Sequence, residues 1–140
     1  MNRYVIDATF ILKCLIPEEH SPVVILFGLQ DNELIVPDLC YVEMTNVLWK
    51  KAESGEMTRE EVLQALHYIG KLTLKVVPSK LLTTLSMEIA LNQQCSVYEA
   101  TYLAAAIEKN CSLVTADRPF YDKLKNSPFA HHLIWIEDTV

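Results

Sequence analysis

Short, largely apolar runs recur along the chain, and each is bounded by polar residues or proline. Their β-branched residues and their lack of regular polar alternation are typical of strands that are buried on both faces of a parallel sheet. The five runs are Tyr4-Val5-Ile6, Leu34-Ile35-Val36, Leu74-Lys75-Val76-Val77, Leu113-Val114-Thr115 and Leu133-Ile134-Trp135-Ile136.

The segments between these runs carry the start and stop signals of helices. Thr58 is followed three residues later by Glu61, which is the spacing of a capping box. The other boundaries that such signals predict are a start at Ser21-Pro22, a helix from about Asp38 to Gly55, a start at Ser79, and a helix from Ser96 to Asn110.

Strands that alternate with helices predict an α/β fold, a three-layer α/β/α sandwich around a largely parallel sheet of about five strands. Residues 1–140 are expected to form a single domain, because no linker rich in Gly, Pro or Ser divides the chain. Ligands of such folds bind outside the carboxyl ends of the strands. The residues that follow each strand are therefore the first candidates for a functional site.

Two aspartates stand at such positions. Asp7 follows the first predicted strand and Asp117 follows the fourth. Helix capping is the alternative explanation for each, since Asp7 precedes a helical segment and Asp117 precedes a turn at Pro119. The sequence leaves both explanations open.

Two glutamates lie on predicted helices among apolar residues. Glu43 falls between Cys40 and Val47 at helical spacing, where an ionised carboxylate is costly unless a cation compensates it. A glutamate that reaches solvent from the edge of this stripe is the alternative. Glu99 is followed by apolar or aromatic residues at three and four positions, but the helix dipole at the first turn also favours an anion there.

These four acids, taken together, predict a metal site. Like charges that are brought close repel strongly unless they are protonated or bound to cations. Oxygen ligands without paired Cys or His match Mg²⁺ or Mn²⁺ rather than zinc, and such ions activate water and stabilise charge on a phosphoryl group. The predicted catalytic and metal-binding residues are Asp7, Glu43, Glu99 and Asp117.

Neighbouring residues are candidates for supporting roles. The hydroxyls of Thr9 and Thr115 are predicted to meet a ligand carboxylate or a phosphate, although Thr115 also suits a plain strand position. Arg118 is a candidate phosphate contact, with a solvated surface arginine as the alternative. Asp122 is a candidate auxiliary acid for a second metal ion, or else a cap.

Charge and cysteine content narrow the class of protein. Twelve Lys and Arg against 18 Asp and Glu give a net charge of −6, which suits RNA binding only if metal ions or a basic partner compensate it.

The unpaired spacing of the cysteines predicts free thiols in a reducing, cytoplasmic compartment rather than disulfides or structural zinc. No apolar run approaches the roughly 20 residues that span a bilayer, so no membrane partner is expected. The cysteines are Cys14, Cys40, Cys95 and Cys111.

An apolar content of 51% in so small a domain predicts a homodimer. Tyr98 and Tyr102, four residues apart on one helix, are expected to belong to packing or to the dimer surface rather than to a platform for base stacking.

Six segments, in order over nearly the whole chain, carry a resemblance to a known family. They are Val5-Ile6-Asp7-Ala8-Thr9, Leu15-Ile16-Pro17-Glu18-Glu19, Val36-Pro37-Asp38-Leu39, Glu43-Met44-Thr45-Asn46-Val47-Leu48-Trp49-Lys50-Lys51, Val97-Tyr98-Glu99-Ala100-Thr101-Tyr102-Leu103-Ala104 and Leu113-Val114-Thr115-Ala116-Asp117-Arg118-Pro119-Phe120. With these segments the chain resembles the PIN-domain ribonucleases, and among them the VapC-type toxins of type II toxin–antitoxin systems. The resemblance implies a three-layer α/β fold, Mg²⁺- or Mn²⁺-dependent cleavage of RNA, a homodimer, and a cognate antitoxin protein that inserts into the active site.

One position departs from the family pattern. Asp7, Glu43 and Asp117 match its acidic positions outright, whereas the third acid in chain order, usually Asp, is Glu99 here. The additional methylene moves the carboxylate by about 1.5 Å, a large displacement for rigid, octahedral Mg²⁺. The principal alternative function is therefore a catalytically weak PIN fold that serves as a binding or regulatory module.

Other α/β classes lack their motifs in this chain. A phosphatase would carry a second Asp where Thr9 stands, and a receiver domain would carry a Lys after the strand that ends at Thr115. A dinucleotide-binding domain would have a G-x-G-x-x-G motif after a strand, and the sequence has none.

Overall fold

The computed structural model describes residues 2–16 and 31–139. Its centre is an all-parallel sheet of five strands, as the sequence predicts. The predicted strands differ from the observed ones at their ends by no more than two residues. The strands are β1 (Asn2–Ile6), β2 (Asn32–Pro37), β3 (Lys75–Val77), β4 (Ser112–Thr115) and β5 (Leu133–Trp135). Their order across the sheet, which the sequence left open, is β3-β2-β1-β4-β5.

The register of the central strands determines which residues meet at the functional edge of the sheet. Val5 of β1 pairs with Ile35 of β2 and with Leu113 of β4, and all three side chains are fully buried. Ile6 pairs with Val114 near the carboxyl ends of β1 and β4. The residues that follow these two strands therefore lie side by side, although more than 100 residues separate them in the chain.

Helices flank this sheet, which confirms the predicted three-layer α/β architecture. Short 3₁₀ segments span Ser79–Leu82, Ala130–His132 and Ile136–Thr139. The predicted start at Ser21-Pro22 lies outside the described residues. The described α-helices are α1 (Ala8–Leu15), α2 (Leu39–Glu53), α3 (Arg59–Gly70), α4 (Thr83–Gln93), α5 (Val97–Glu108) and α6 (Arg118–Leu124).

Most of the predicted helix boundaries are confirmed by their hydrogen bonds. The Thr58 hydroxyl accepts from the backbone N–H of Glu61, whose carboxylate accepts from the backbone N–H of Thr58. Gly55 directly follows the last turn of α2 and has a φ of 81°, a conformation that glycine adopts without the steric cost of a side chain. Ser79 begins a 3₁₀ segment rather than an α-helix, and α4 begins only at Thr83.

The innermost helix is α5. Residues 100–106 are all buried, because α5 packs across β1, β2 and β4 and also against α4. Ala100, Ala104, Ala105 and Ala106 keep this helix thin enough to be enclosed by its neighbours. Among the helices described, none is both long and apolar enough to cross a membrane.

Candidate active site

Two aspartates at the functional edge of the sheet act as helix N-caps. Asp7 follows β1, and its Oδ1 accepts a hydrogen bond from the backbone N–H of Phe10 at 2.9 Å. Asp117 lies two residues after β4, and its Oδ1 accepts from the backbone N–H of Phe120 at 3.2 Å. The capping role that the sequence left open is therefore real. It engages one oxygen of each carboxylate and does not exclude a second role.

Thr115, the last residue of β4, connects the two aspartates. Its hydroxyl donates to Oδ2 of Asp7 at 2.9 Å and accepts from the backbone N–H of Asp117 at 3.0 Å. The side chain is fully buried. The structure therefore shows the Thr115 hydroxyl in contact with a carboxylate, which is one of the roles that the sequence left open for this residue. A single hydroxyl thereby fixes the position of Asp7 relative to the start of α6.

Glu43 is held by a residue that sequence reasoning did not assign to the site. The hydroxyl of Tyr102 donates to Oε1 of Glu43 at 2.6 Å, and the Tyr102 side chain is buried. The expectation of packing or a dimer surface is thus incomplete for Tyr102, whereas Tyr98 is indeed exposed. The sequence contained one signal for placing Tyr102 in the site. Tyr102 lies three residues after Glu99 and therefore on the same face of α5.

Glu99 forms a capping box at the start of α5. Its Oε1 accepts from the backbone N–H of Ser96 at 3.1 Å and from the Ser96 hydroxyl at 3.2 Å, while the backbone N–H of Glu99 donates to that hydroxyl at 3.0 Å. The Ser-x-x-Glu spacing is the signal already used at Thr58. It gives Glu99 a structural reason to carry the longer side chain, because the carboxylate must reach back one full turn.

All four acids nevertheless line one cavity of about 90 Å³ at the carboxyl ends of β1 and β4. Capping and cavity lining coexist, because each acid lies at the start of a helix or on a face that points towards this edge of the sheet. The residues that line the cavity are Asp7, Ala8, Thr9, Glu43, Glu99, Tyr102, Leu113, Asp117 and Phe120.

Burial and mutual repulsion raise the pKa of Asp7 to about 6. Burial is the largest cause, and the negative charges of Asp117 and Glu43 raise the pKa further. Hydrogen bonds from the backbone of Phe10 and from Thr115 oppose the rise, because both stabilise the ionised form. The Asp7 carboxylate therefore holds its proton more tightly than an ordinary aspartate.

The pKa of Glu43 is also raised. Its partial burial is the largest cause, the hydrogen bond from Tyr102 opposes the rise, and the charge of Glu99 adds to it. Electrostatic repulsion thus connects Asp117 to Asp7, Asp7 to Glu43, and Glu43 to Glu99. A cavity with this charge distribution favours a proton or a metal cation.

Comparison with known proteins decides the family. A family model described as "PIN domain" matches residues 4–125. The chain belongs to the PIN-domain family. It is 31% identical over 123 residues to Ribonuclease VapC3 of Pyrobaculum aerophilum, an alignment that covers 86% of this chain and 94% of the relative. The fold resembles the crystal structure of PAE2754 from the same organism, with a TM-score of 0.68, 23% identity, and coverage of 89% of this chain and 81% of that one.

The acidic cavity of this PIN domain has the donor chemistry of a hard cation. Four carboxylates line the cavity, and two of them have raised pKa values, which a bound cation would lower. Within residues 2–16 and 31–139, no group of three or more His, Cys, Asp or Glu side chains is arranged to hold a metal ion. This arrangement is compatible with Mg²⁺, which commonly keeps several waters and uses one or two carboxylates.

Two of the candidate residues lie outside the cavity of the PIN domain. The guanidinium of Arg118 lies 3.9 Å from the ring centroid of Trp135 and forms an ion pair with Asp122 at 3.6 Å. Asp122 also pairs with Lys125 at 3.2 Å. Both Arg118 and Asp122 are exposed and neither lines the cavity, whereas Thr9 does. The geometry therefore favours the alternative for Arg118, a surface arginine. Asp122 is a surface acid that pairs with Arg118 and Lys125, which differs from both of the roles predicted for it.

The four cysteines are free, as the sequence predicts. Burial raises the pKa of Cys14 to about 11 and that of Cys40 to about 12, so these thiols are poor nucleophiles. Cys40 belongs to the hydrophobic core of this PIN domain, and the other three cysteines pack against that core.

Proposed function

We propose that this PIN domain is a metal-dependent endoribonuclease, and that it is the toxin component of a toxin–antitoxin pair. The observation that carries the proposal is the convergence of Asp7, Glu43, Glu99 and Asp117 on one cavity at the carboxyl ends of β1 and β4. Support also comes from the curated relative, whose name describes a ribonuclease.

Asp7, Asp117 and Glu43 would surround a bound Mg²⁺ or Mn²⁺, with one or two of them ligating the ion directly and the others contacting its waters, and Glu99 would lie at the edge of the set. A bound ion of this kind supplies charge neutralisation for the phosphoryl group and a water of lowered pKa. The side chains of the protein itself position the carboxylates. Thr115 keeps the carboxylate of Asp7 in place, and the buried hydroxyl of Tyr102 does the same for Glu43. Because these bonds fix the carboxylates beforehand, less entropy is lost when substrate binds.

A PIN fold that binds without efficient catalysis is the second candidate function. One observation favours it, the capping box in which Oε1 of Glu99 is already engaged by the backbone N–H and the hydroxyl of Ser96. In this alternative Glu99 serves the helix, and only Asp7, Glu43 and Asp117 remain as potential metal ligands. The two candidates differ in a single measurable property, which is metal-dependent cleavage of RNA.

The cleavage experiment compares the wild-type protein with Asp7→Asn, Glu43→Gln and Asp117→Asn on a single-stranded RNA in Mn²⁺, in Mg²⁺ and in EDTA. We expect cleavage by the wild type in one or both metals, none in EDTA, and at least a 100-fold lower rate in each variant. Asp122→Asn is the matched control, because Asp122 is an exposed acid outside the cavity, and its rate should be unchanged. Metal-independent cleavage, or full activity of purified Asp7→Asn, contradicts the proposal.

We also propose a homodimer, a cognate antitoxin and a cytoplasmic location, with residues 1–140 as one nuclease domain. Support for the dimer comes from exposed large apolar side chains that are concentrated between residues 81 and 98. The free cysteines support a reducing compartment. The exposed apolar side chains of this stretch are Leu81, Met87, Leu91, Val97 and Tyr98.

A further inference from the structure

A second depression of about 450 Å³, here called the α1–α2 groove, adjoins the acidic cavity. Thr9, Glu43 and Ala8 line both, so the groove leads directly away from the proposed catalytic centre. The groove is lined by Ala8, Thr9, Leu12, Glu43, Asn46, Val47, Lys50 and Lys51.

Along the wall of this groove that α2 forms, the polar side chains change from acidic through neutral to basic. Glu43, Asn46 and Lys50 are spaced by three and four residues, which puts an acid, an amide and an ammonium on one face of the helix. The seven steps from Glu43 to Lys50 span about 10 Å along the helix axis at 1.5 Å per residue. Val47 and, from α1, Leu12 add apolar surface between these polar groups.

The two lysines of the groove are not equivalent. Lys51 is engaged by Glu56 at 3.2 Å, which partly neutralises its charge. Lys50 is exposed, and within residues 2–16 and 31–139 it forms no ion pair. Within the same part of the chain, Lys71 and Lys80 are also exposed and without an ion pair, but Lys50 differs from them because it lies on the wall of a groove that begins at the carboxylate cluster. A cation at this position favours an anionic ligand.

We propose that the α1–α2 groove binds the phosphodiester backbone of the RNA on one side of the cleaved bond. Lys50 contacts a phosphate, Asn46 and Thr9 donate to phosphate or ribose oxygens, and the apolar surface of Leu12 and Val47 accommodates a sugar or base. The inference rests on the proposed function. A basic peptide suits the acidic cavity but is repelled by Lys50, whereas RNA meets a cation at both ends of the groove once metal is bound.

The test removes the charge of Lys50 and keeps its apolar stem. Lys50→Met is compared with Lys71→Met, an exposed lysine at the end of α3 that lines no part of the groove and gives the same change in net charge. Cleavage is measured in Mn²⁺ as separate kcat and KM values. RNA affinity is measured by fluorescence anisotropy in the Asp7→Asn background at several salt concentrations, with a fluorescein-labelled single-stranded RNA.

Lys50→Met should raise KM about threefold to tenfold and leave kcat nearly unchanged, because the lost contact is made equally in the ground state and the transition state. It should also reduce the slope of log Kd against log salt concentration by about 0.7, the value for one phosphate contact on single-stranded nucleic acid. Lys50→Arg should restore both quantities, and Lys71→Met should match the wild type.

The outcomes separate the groove from the nuclease activity. If the wild type cleaves RNA while Lys50→Met and Lys71→Met behave alike, the groove proposal is wrong and the proposed function stands. If Lys50→Met weakens only the binding of a protein partner, the groove is a protein-binding surface and the proposal is again wrong. If the wild type does not cleave RNA with Mn²⁺ present, the proposed function itself fails.

Discussion

Replacing Asp7 with asparagine should stabilise the metal-free protein. Asp7 is 9% exposed, and its pKa is raised from 3.8 to about 6 by burial and by the charges of Asp117 and Glu43. Asparagine keeps an oxygen that can accept the capping bond from Phe10, and its amide can donate to the Thr115 hydroxyl. The substitution therefore removes the buried charge and preserves most of the hydrogen bonds.

The size of the effect follows from the linkage between protonation and folding. Because the folded protein holds this proton more tightly than the unfolded chain, the ionised Asp7 side chain lowers stability as the pH rises from about 4 to above 6. A pKa displacement from 3.8 to about 6 corresponds to roughly 3 kcal/mol at pH 7.5 and about 0.6 kcal/mol at pH 4. Imperfect replacement of the hydrogen bonds reduces the expected gain of Asp7→Asn at pH 7.5 to about 1–3 kcal/mol.

The assay is urea unfolding of the wild type, Asp7→Asn and the surface control Asp122→Asn in EDTA at pH 7.5 and pH 4. The gain should be about 1–3 kcal/mol at pH 7.5 and absent or reversed at pH 4, and it should be well under about 1 kcal/mol for Asp122→Asn at either pH. Millimolar Mn²⁺ should then stabilise only the wild type and the control, because a ligand that binds the native state shifts unfolding by mass action. Equal stability of the wild type and Asp7→Asn at pH 7.5 in EDTA would refute the reasoning.

Three further predictions concern other residues of the molecule. Tyr102→Phe removes a hydrogen bond that lowers the pKa of Glu43, so a larger fraction of Glu43 should be protonated at pH 6 in this variant. Calorimetric titration should therefore show a larger loss of Mn²⁺ affinity at pH 6 than at pH 8. An equal loss at both pH values would contradict this prediction. Glu99→Asp should raise the Mg²⁺ rate relative to the Mn²⁺ rate and cost about 0.5–1 kcal/mol through the lost capping box. If the ratio of the Mg²⁺ rate to the Mn²⁺ rate does not change, Glu99 acts only as a helix cap and not as a metal ligand. Leu91→Lys should convert the proposed dimer to a monomer in sedimentation, with cleavage of RNA as the check on folding.

The sheet could be predicted from sequence because buried parallel strands have a strong local signature. Each apolar run is short, rich in β-branched residues and closed by a polar residue or proline, and these features depend only on near neighbours in the chain. The convergence of Asp7 and Asp117 followed from the same pattern, since the carboxyl ends of parallel strands meet at one edge. No contact had to be known in advance.

The contacts that hold the site together could not be predicted in this way. The bond between Tyr102 and Glu43 joins residues 59 positions apart on two different helices, and helical spacing alone does not say which helices pack together. The bond between Thr115 and Asp7 spans 108 positions. By contrast, the capping box of Glu99 is local, because Ser96 lies only three residues before it, and the sequence alone contains this signal.

Asp7 and Asp117 both cap a helix and line the acidic cavity, so a substitution can affect either role. Asp7 and Asp117 satisfy backbone N–H groups that helix starts leave without partners, and this function needs an oxygen acceptor but no charge. Metal binding needs the charge. An amide therefore keeps the cap and removes the ligand, whereas alanine removes both and costs about 1 kcal/mol more. Loss of function in Asp117→Asn without loss of stability is thus evidence about the metal site, while the same loss in Asp117→Ala does not distinguish the two roles.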